Sequence, residues 1–460
     1  MNLREEFDRT AARHPHRTFF SRPHWTRREF FRVMGAGVTG SFLAERYARA
    51  AGTVSASAAT RNTARNVVFI LLAGAPSHID TFDLKVLPGI TPDSFQPETI
   101  NGLLWPTGLL PKLAEQLPRI AIVRSMRAWA LVHSLAQTWT QIGRNPAAAL
   151  GNIAPNIGSI VAIEKDKERL PSQVFPTFLA LNSAGAAGPG YLSSQYGPFK
   201  VAPSARGIAN TTNPDGPAAM DARWSLLHAL DDPLRVNSPL GRPLEDYEAF
   251  YQAARGLMYN PVVERAFRFA TADSQRYGNT GFGNACLVAS QVLQADQGTR
   301  FIQITQGGWD MHQNIYAPAQ LPALGKVLDD GLAALLSDLQ GAGLLDQTLV
   351  VMAGEFGRTV GPLSAAKGRD HYVQQFCLFA GGGVKGGRAL GATGAQGADT
   401  VDFGWSRNRY VRPEDVEATI YSALGIDWTT VRYDDPFGRG FEYVPFSGQD
   451  LYGPIDELWG

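Results

Sequence analysis

Cysteine is nearly missing from this chain: two in 460 residues, which excludes a disulfide framework as the basis of its stability. Cys286 and Cys377 sit in apolar settings, NACLVAS and QQFCLFAGG, that suit small buried hydrophobes, and at most one bridge could join them. A charge excess is missing too. Lys plus Arg and Asp plus Glu number 42 each, so the basic footprint expected of a nucleic-acid partner is absent. No apolar run reaches the roughly 20 residues that a membrane-spanning helix needs. Histidine is scarce at eight residues, so each one that falls in a polar motif is informative. What is present is a 44% hydrophobic, 18% charged composition, enough to bury a sizeable core in one large domain or two. The 48 glycines cluster beside a few polar motifs, where they imply tight turns and close backbone approach.

The first 58 residues read as an address. Thr26-Arg27-Arg28-Glu29-Phe30-Phe31-Arg32 resembles the twin-arginine export consensus, and a weakly apolar stretch over 33–44 follows it. Ala56-Ser57-Ala58 then supplies a small-residue processing site. The competing reading is an amphipathic helix, for which Glu45, Arg46 and Arg49 speak. The expectation is export to the periplasm or beyond, with the signal either cleaved or kept as an anchor. Residues 59–460 would then be a single domain.

Within that domain six apolar runs have strand character: 66–72 (NVVFILL), 119–124 (RIAIVR), 175–181 (FPTFLAL), 300–305 (RFIQIT), 348–352 (TLVVM) and 376–380 (FCLFA). Helical spacing fills the gaps at 244–258, 262–270, 321–339 and 413–424, the last opening on Pro-Glu-Asp. Alternation of this kind predicts an α/β domain with a parallel-rich sheet flanked by helices. Such sheets place ligands at the carboxyl ends of their strands. Residues 183–240, rich in Pro, Gly, Ser and Asn, read as a loop-rich insertion.

Each polar motif begins where one of these runs stops. Gly74-Ala75-Pro76-Ser77-His78-Ile79-Asp80 can present a hydroxyl, backbone N–H groups and a carboxylate; the bland alternative is a capped helix start. For Asp83 just beyond, the cap or surface reading leads. Gly307-Gly308-Trp309-Asp310-Met311-His312 places a carboxylate and an imidazole two residues apart on a turn, the nitrogen-and-oxygen donor set of divalent-metal sites. Gly354-Glu355-Phe356-Gly357-Arg358 offers a ligand or base in Glu355 and a planar anion clamp in Arg358, unless the two form an internal ion pair. Gly368-Arg369-Asp370-His371 pairs an imidazole with a carboxylate that can orient it. His133 follows a strand by a short helix-like stretch and can approach the same edge, whereas His228 reads as core. Gly381 to Gly387 follows a late strand and has no helix-opening context, which argues against a nicotinamide cofactor.

In this order, GAPSHIDTFDLK, GGWDMHQN, GEFGRT, GRDHY and GGGVKGGRALGATG closely resemble the bacterial family called domain of unknown function 1501, over about residues 60 to 430. The resemblance implies a fold related to the alkaline phosphatase and sulfatase superfamily, with divalent metal at the sheet edge. It implies Asp310, His312, Glu355, His371 and Asp80 as metal ligands, Ser77 as an alkoxide nucleophile and Arg358 as a stabiliser of transferred charge. The cofactor would be one divalent ion (Zn, Mn, Mg or Ca) or none. The activity would be hydrolysis of phosphate or sulfate esters of a small molecule or glycan. The alternative is an inactive relative that binds a glycan, an envelope component or a protein. The chain departs from the superfamily in three places. Leu72-Ala73-Gly74 stands where a metal-binding Asp ends the first strand. Glu355 is followed by Phe356 rather than a second ligand. No Cys-x-Pro/Ala-x-Arg sequence is present. Oligomeric state is not legible in these residues.

Overall fold

All six apolar runs become strands of one eight-stranded sheet. The computed structural model describes residues 58–235 and 242–460, so the twin-arginine motif and its apolar stretch lie outside the described residues. The strands are β1 (Asn66–Leu72), β2 (Ile120–Arg127), β3 (Phe178–Leu181), β4 (Phe199–Val201), β5 (Phe301–Gln306), β6 (Thr348–Ala353), β7 (Gln374–Ala380) and β8 (Arg388–Leu390). Their order is β8-β2-β7-β6-β1-β5-β3-β4. β1 lies between β6 and β5 and is parallel to both, with Val67 opposite Phe301 and Leu71 opposite Ala353. Only β7 runs against its neighbours, β2 and β6.

The helices that matter here are α1 (His133–Ile142), α2 (Ile157–Lys165), α3 (Gly216–Arg235), α4 (Arg242–Leu257), α5 (Pro261–Phe267), α6 (Gly281–Ala295), α7 (Leu321–Gly341) and α8 (Pro413–Ala423). Every residue of β1 is buried, as a strand covered on both faces requires. Side chains alternate along a strand, so Val68, Ile70 and Leu72 join one core with α6 and α7. Val67, Phe69 and Leu71 join a second core with α2 and α8. At the start of α8, Asp415 accepts a hydrogen bond from Arg412 N at 2.9 Å, which holds the Pro-Glu-Asp entry in place. The result is a three-layer α/β architecture whose ligand-facing edge is the carboxyl end of its parallel strands.

Several expectations are corrected. The 183–240 segment is not all loop, since it contributes edge strand β4 and the twenty-residue α3. Its polar composition hid an amphipathic helix, which leaves Leu226 and Leu230 exposed. His228 is not core: it sits half-buried on α3, with Nδ1 3.0 Å from Asp232. Asp83 is buried rather than a surface cap, paired with Lys85 at 3.1 Å and Arg124 at 3.3 Å. Cys286 and Cys377 are buried free thiols. No helix among the described residues is long and apolar enough to cross a membrane.

Candidate metal centre

Four side chains meet at the sheet edge: His133, Asp310, His312 and His371, with one ligand atom from each within 4.8 Å of the others. The topology explains how. Asp310 and His312 follow the carboxyl end of β5, and His133 opens α1 after the carboxyl end of β2. His371 precedes β7, and because β7 is reversed, the segment before it reaches the same edge. Two glycines allow the close approach. Gly74, at φ +105°, has its Cβ position only 2.6 Å from Asp310 N, and a Cβ on Gly368 would fall 1.9 Å from the His312 carbonyl carbon. No other residue fits at either place.

The hydrogen bonds fix which ring nitrogen carries the proton. His371 Nδ1 lies 2.7 Å from the Leu131 carbonyl, which can only accept, so Nδ1 donates and Nε2 keeps a lone pair. His312 Nδ1 faces Asp370 Oδ1 at 2.8 Å, while its Nε2 is 3.3 Å from an Arg358 N–H, which can only donate. His133 Nδ1 lies 2.6 Å from Glu355 Oε1, and its buried Nε2 finds no hydrogen-bond partner among the described residues. The three Nε2 atoms lie 3.1 Å (His133), 2.8 Å (His312) and 3.7 Å (His371) from Asp310 Oδ1. The Nε2 atoms of His312 and His371 are 3.2 Å apart. Two neutral rings would oppose lone pairs at that distance, so a proton or a metal cation has to lie between them.

The donor set fits a metal ion. Ligands about 2.0–2.1 Å from a tetrahedral zinc are about 3.3 Å from one another, close to the separations found here. Each imidazole also has the outer partner that metal-bound histidines have: Glu355, Asp370 and the Leu131 carbonyl respectively. Burial pushes the Asp310 carboxyl up, but the hydrogen bond and charge of Arg358, with His133 and His312, outweigh this and hold it at about 2. Asp310 is thus a carboxylate across the physiological range, and its side chain is 46% exposed, which leaves the centre open to solvent.

The other expected site residues are placed differently. Glu355 is outside the four-residue group; its Oε1 accepts from His133 Nδ1, Gln137 and Gly74 N behind the His133 ring, and its buried Oε2 has no hydrogen-bond partner among the described residues. Asp80 is also outside it, buried against Arg369 (2.7 Å), Tyr316 (2.8 Å) and the Ser77 hydroxyl (2.6 Å). Ser77 is 2% exposed and its proton is held by Asp80, so its hydroxyl is not presented at the centre. Arg358 is 1% exposed, and its five N–H groups go to Ala75 O, Gly74 O, Arg369 O, His312 and Asp310. A guanidinium so committed braces the centre; its long 3.3 Å contact to His312 Nε2 is the one that a cation on that atom would release. The anticipated Glu355–Arg358 ion pair does not form. His133 is the member of the four-residue group least legible in sequence, although Gln137, one helical turn on and bonded to the same Glu355, marks the face it shares.

A family model described as a protein of unknown function (DUF1501) matches residues 64–451. The chain belongs to that family. No curated protein matches it. Similar solved structures include the PsFucS1 sulfatase from Pseudoalteromonas sp., 12% identical, covering 79% of this chain and 68% of that one at a TM-score of 0.38. An alkaline phosphatase superfamily protein from Vibrio parahaemolyticus is 12% identical, with 81% and 69% covered and a TM-score of 0.38. The lipoteichoic acid synthase LtaP from Listeria monocytogenes is 10% identical, with 85% and 78% covered and the same TM-score. Likenesses this distant bear on neither activity nor ligands.

Proposed function

We propose that this protein is an exported, metal-dependent hydrolase of phosphate or sulfate esters. The observation that carries the reading is the convergence of three imidazole Nε2 atoms and the Asp310 carboxylate, each ring fixed from behind by its own acceptor. His133, Asp310, His312 and His371 would hold one divalent ion. When bound, such an ion supplies Lewis acidity toward an ester oxygen and lowers the pKa of water. Glu355, Asp370 and the Leu131 carbonyl would fix the orientation of the three rings through their Nδ1 atoms, and Arg358 holds Asp310 ionised and in place. The exposed side of Asp310 is where an ester would arrive. The ester class rests on the family resemblance, and export rests on the twin-arginine motif.

Metal analysis of the purified protein, before and after reconstitution with Zn, Mn, Mg and Ca, tests the reading. About one ion per chain, lost on substitution of His371 by Ala, is expected. No bound ion after reconstitution would sink it. One observation favours a second reading, a non-catalytic binding protein: Ser77 is buried and Arg358 has every donor committed. In that case the metal-loaded protein hydrolyses neither p-nitrophenyl phosphate nor p-nitrophenyl sulfate.

A further inference from the structure

Between the end of β2 and the start of α1 the chain is poorly buried. Trp129, Leu131 and Val132 are 45%, 38% and 60% exposed, and His133 follows them directly. This span serves the centre twice, through the His133 ring and through the Leu131 carbonyl that orients His371. Side chains so exposed contribute little apolar burial toward fixing it in one place. A carboxylate holds it instead. Glu414, in the first turn of α8, is 3% exposed, and each of its oxygens takes one indole N–H. Oε2 accepts from Trp129 at 3.1 Å and Oε1 from Trp139 at 2.9 Å. Trp129 lies four residues before His133 and Trp139 six residues after it, so the two bonds bracket the span. The rings they draw together lie nearly parallel, 21° between planes and 6.1 Å between centroids. Arg412 adds to the same hold. Its guanidinium lies 3.7 Å from the Trp129 centroid and donates to the Arg127 and Ala128 carbonyls at 2.9 and 3.0 Å.

Both bonds to Glu414 come from neutral donors, and a buried carboxylate answered only by neutral donors is costly to keep. Accepting two N–H groups at once, one on each oxygen, is what a neutral side chain of the same shape does not do. We propose that Glu414 is a positioning residue for the metal centre: by holding Trp129 and Trp139 together it fixes the span between them, and with it His133 and the carbonyl behind His371. This role rests on the metal-binding half of the reading above and not on the ester. It also brings a dependence on pH. A protonated carboxyl, like a glutamine amide, has a donor where one of the two acceptors stood, and so releases one indole. Burial pushes the Glu414 carboxyl up to about 7, against the indole N–H groups, which favour its charged form. Asp415 and Glu417 on α8, Arg412 at its entry, Arg144 beyond α1 and Tyr452 are the ionisable groups around it. The clamp is therefore closed above about pH 7 and half-released below it.

The test is zinc affinity of the full-length protein, titrated against a competing chelator in the wild type and in Glu414→Gln at pH 8 and at pH 6. Protons compete for the histidines equally in both proteins, so the ratio of the two affinities at one pH isolates residue 414. At pH 8 Glu414→Gln is expected to bind zinc about three- to tenfold more weakly, less than the roughly 10- to 100-fold lost with a group bonded directly to a metal-bound ring. At pH 6 the wild-type carboxyl is neutral as well, and the ratio is expected to fall to within about twofold. Trp139→Phe keeps a ring in place and removes one of the two donors. It is expected to weaken zinc binding by a similar factor at pH 8, and the double variant no more than either single one. A ratio near one at pH 8, or a ratio that is the same at both pH values, overturns this role. Should Glu414→Gln fail to fold, wild-type affinity in Trp139→Phe overturns it. A wild type that takes up no zinc overturns the metal reading and this role with it, whereas zinc uptake indifferent to residue 414 overturns this role alone.

Discussion

Replacing Glu355 by Gln separates a residue that orients a ligand from one that is a ligand. The carboxylate is buried, and its Oε1 takes three hydrogen bonds: His133 Nδ1 at 2.6 Å, Gln137 at 2.9 Å and Gly74 N at 2.9 Å. Glutamine keeps the shape and an acceptor oxygen but removes the charge that makes the His133 bond strong. Hydrogen bonds to charged groups contribute about 1.5–3 kcal/mol against about 0.5–1.5 for neutral ones, so about 1–1.5 kcal/mol is lost. That is about tenfold in metal affinity, the low end of the roughly 10- to 100-fold seen when a carboxylate behind a metal-bound histidine is removed. At free zinc about 100 times the wild-type Kd, the bound ion stabilises the fold by about 2.7 kcal/mol, and a tenfold weaker site loses about 1.4 of this. For a domain of roughly 400 residues the unfolding entropy is about 0.8 kcal/mol/K, so the fall in melting temperature should be larger by about 2 °C with zinc than without it. Zinc titration against a competing chelator, paired with calorimetry with and without EDTA, reads both quantities. Wild-type affinity in a folded Glu355→Gln protein would refute the reasoning, as would an equal loss of melting temperature with and without metal.

Other perturbations are expected to separate the centre from its scaffold. Asp80→Asn breaks a fully buried pair with Arg369 and should cost about 3–5 kcal/mol in chemical denaturation while leaving zinc affinity unchanged, since Asp80 is outside the ligand group. Gly74→Ala places a methyl 2.6 Å from Asp310 N at a positive φ; a loss of about 1–3 kcal/mol and weaker metal binding should appear together, and a neutral result on both would contradict the packing described. Burial, partly offset by the charge of Arg144, raises Glu417 from 4.5 to about 8. Its folded pKa lies above its unfolded one, so its stabilising contribution is complete below about pH 4.5 and is lost as the pH climbs toward 8. Melting temperature measured from pH 4.5 to 8.5 should therefore decline less in Glu417→Gln than in the wild type, and parallel curves would show that Glu417 is not the group responsible.

What could be read beforehand follows from which forces are local. The core strands were legible because β1, β5 and β6 are covered on both faces and so need unbroken apolar runs, which the sequence carries in full. β4 and β8 were not, because a three-residue edge strand with one face in water has no such run. Asp310, His312 and His371 could be named because each lies within a few residues of a strand end. Glu355 lies just as close to a strand end and Asp80 only slightly farther, yet Asp80 turns inward to Arg369 and Glu355 stands behind His133. Spacing along the chain records the edge that a carboxylate reaches and not the direction in which it points. Arg358 illustrates the same limit, since its five acceptors include three backbone carbonyls that carry no sequence signature. His133 depended on a helix entry thirteen residues beyond the start of β2, where no motif marks it.

The single reversed strand has a temporal consequence. Because β7 runs against the rest, the last member of the four-residue group enters the edge ahead of a strand that must itself insert between β2 and β6. A nascent chain that has emerged only through residue 350 holds three of the four groups and has nothing to seat the fourth. At about 5–20 residues per second, His133 waits roughly 12–50 s for His371 and the strand behind it. Whatever ion this edge accepts, it can be captured with full coordination only after the sheet has closed. Were an ion held there, its occupancy would certify a finished fold, and a truncated chain would be recognisable by its failure to hold metal.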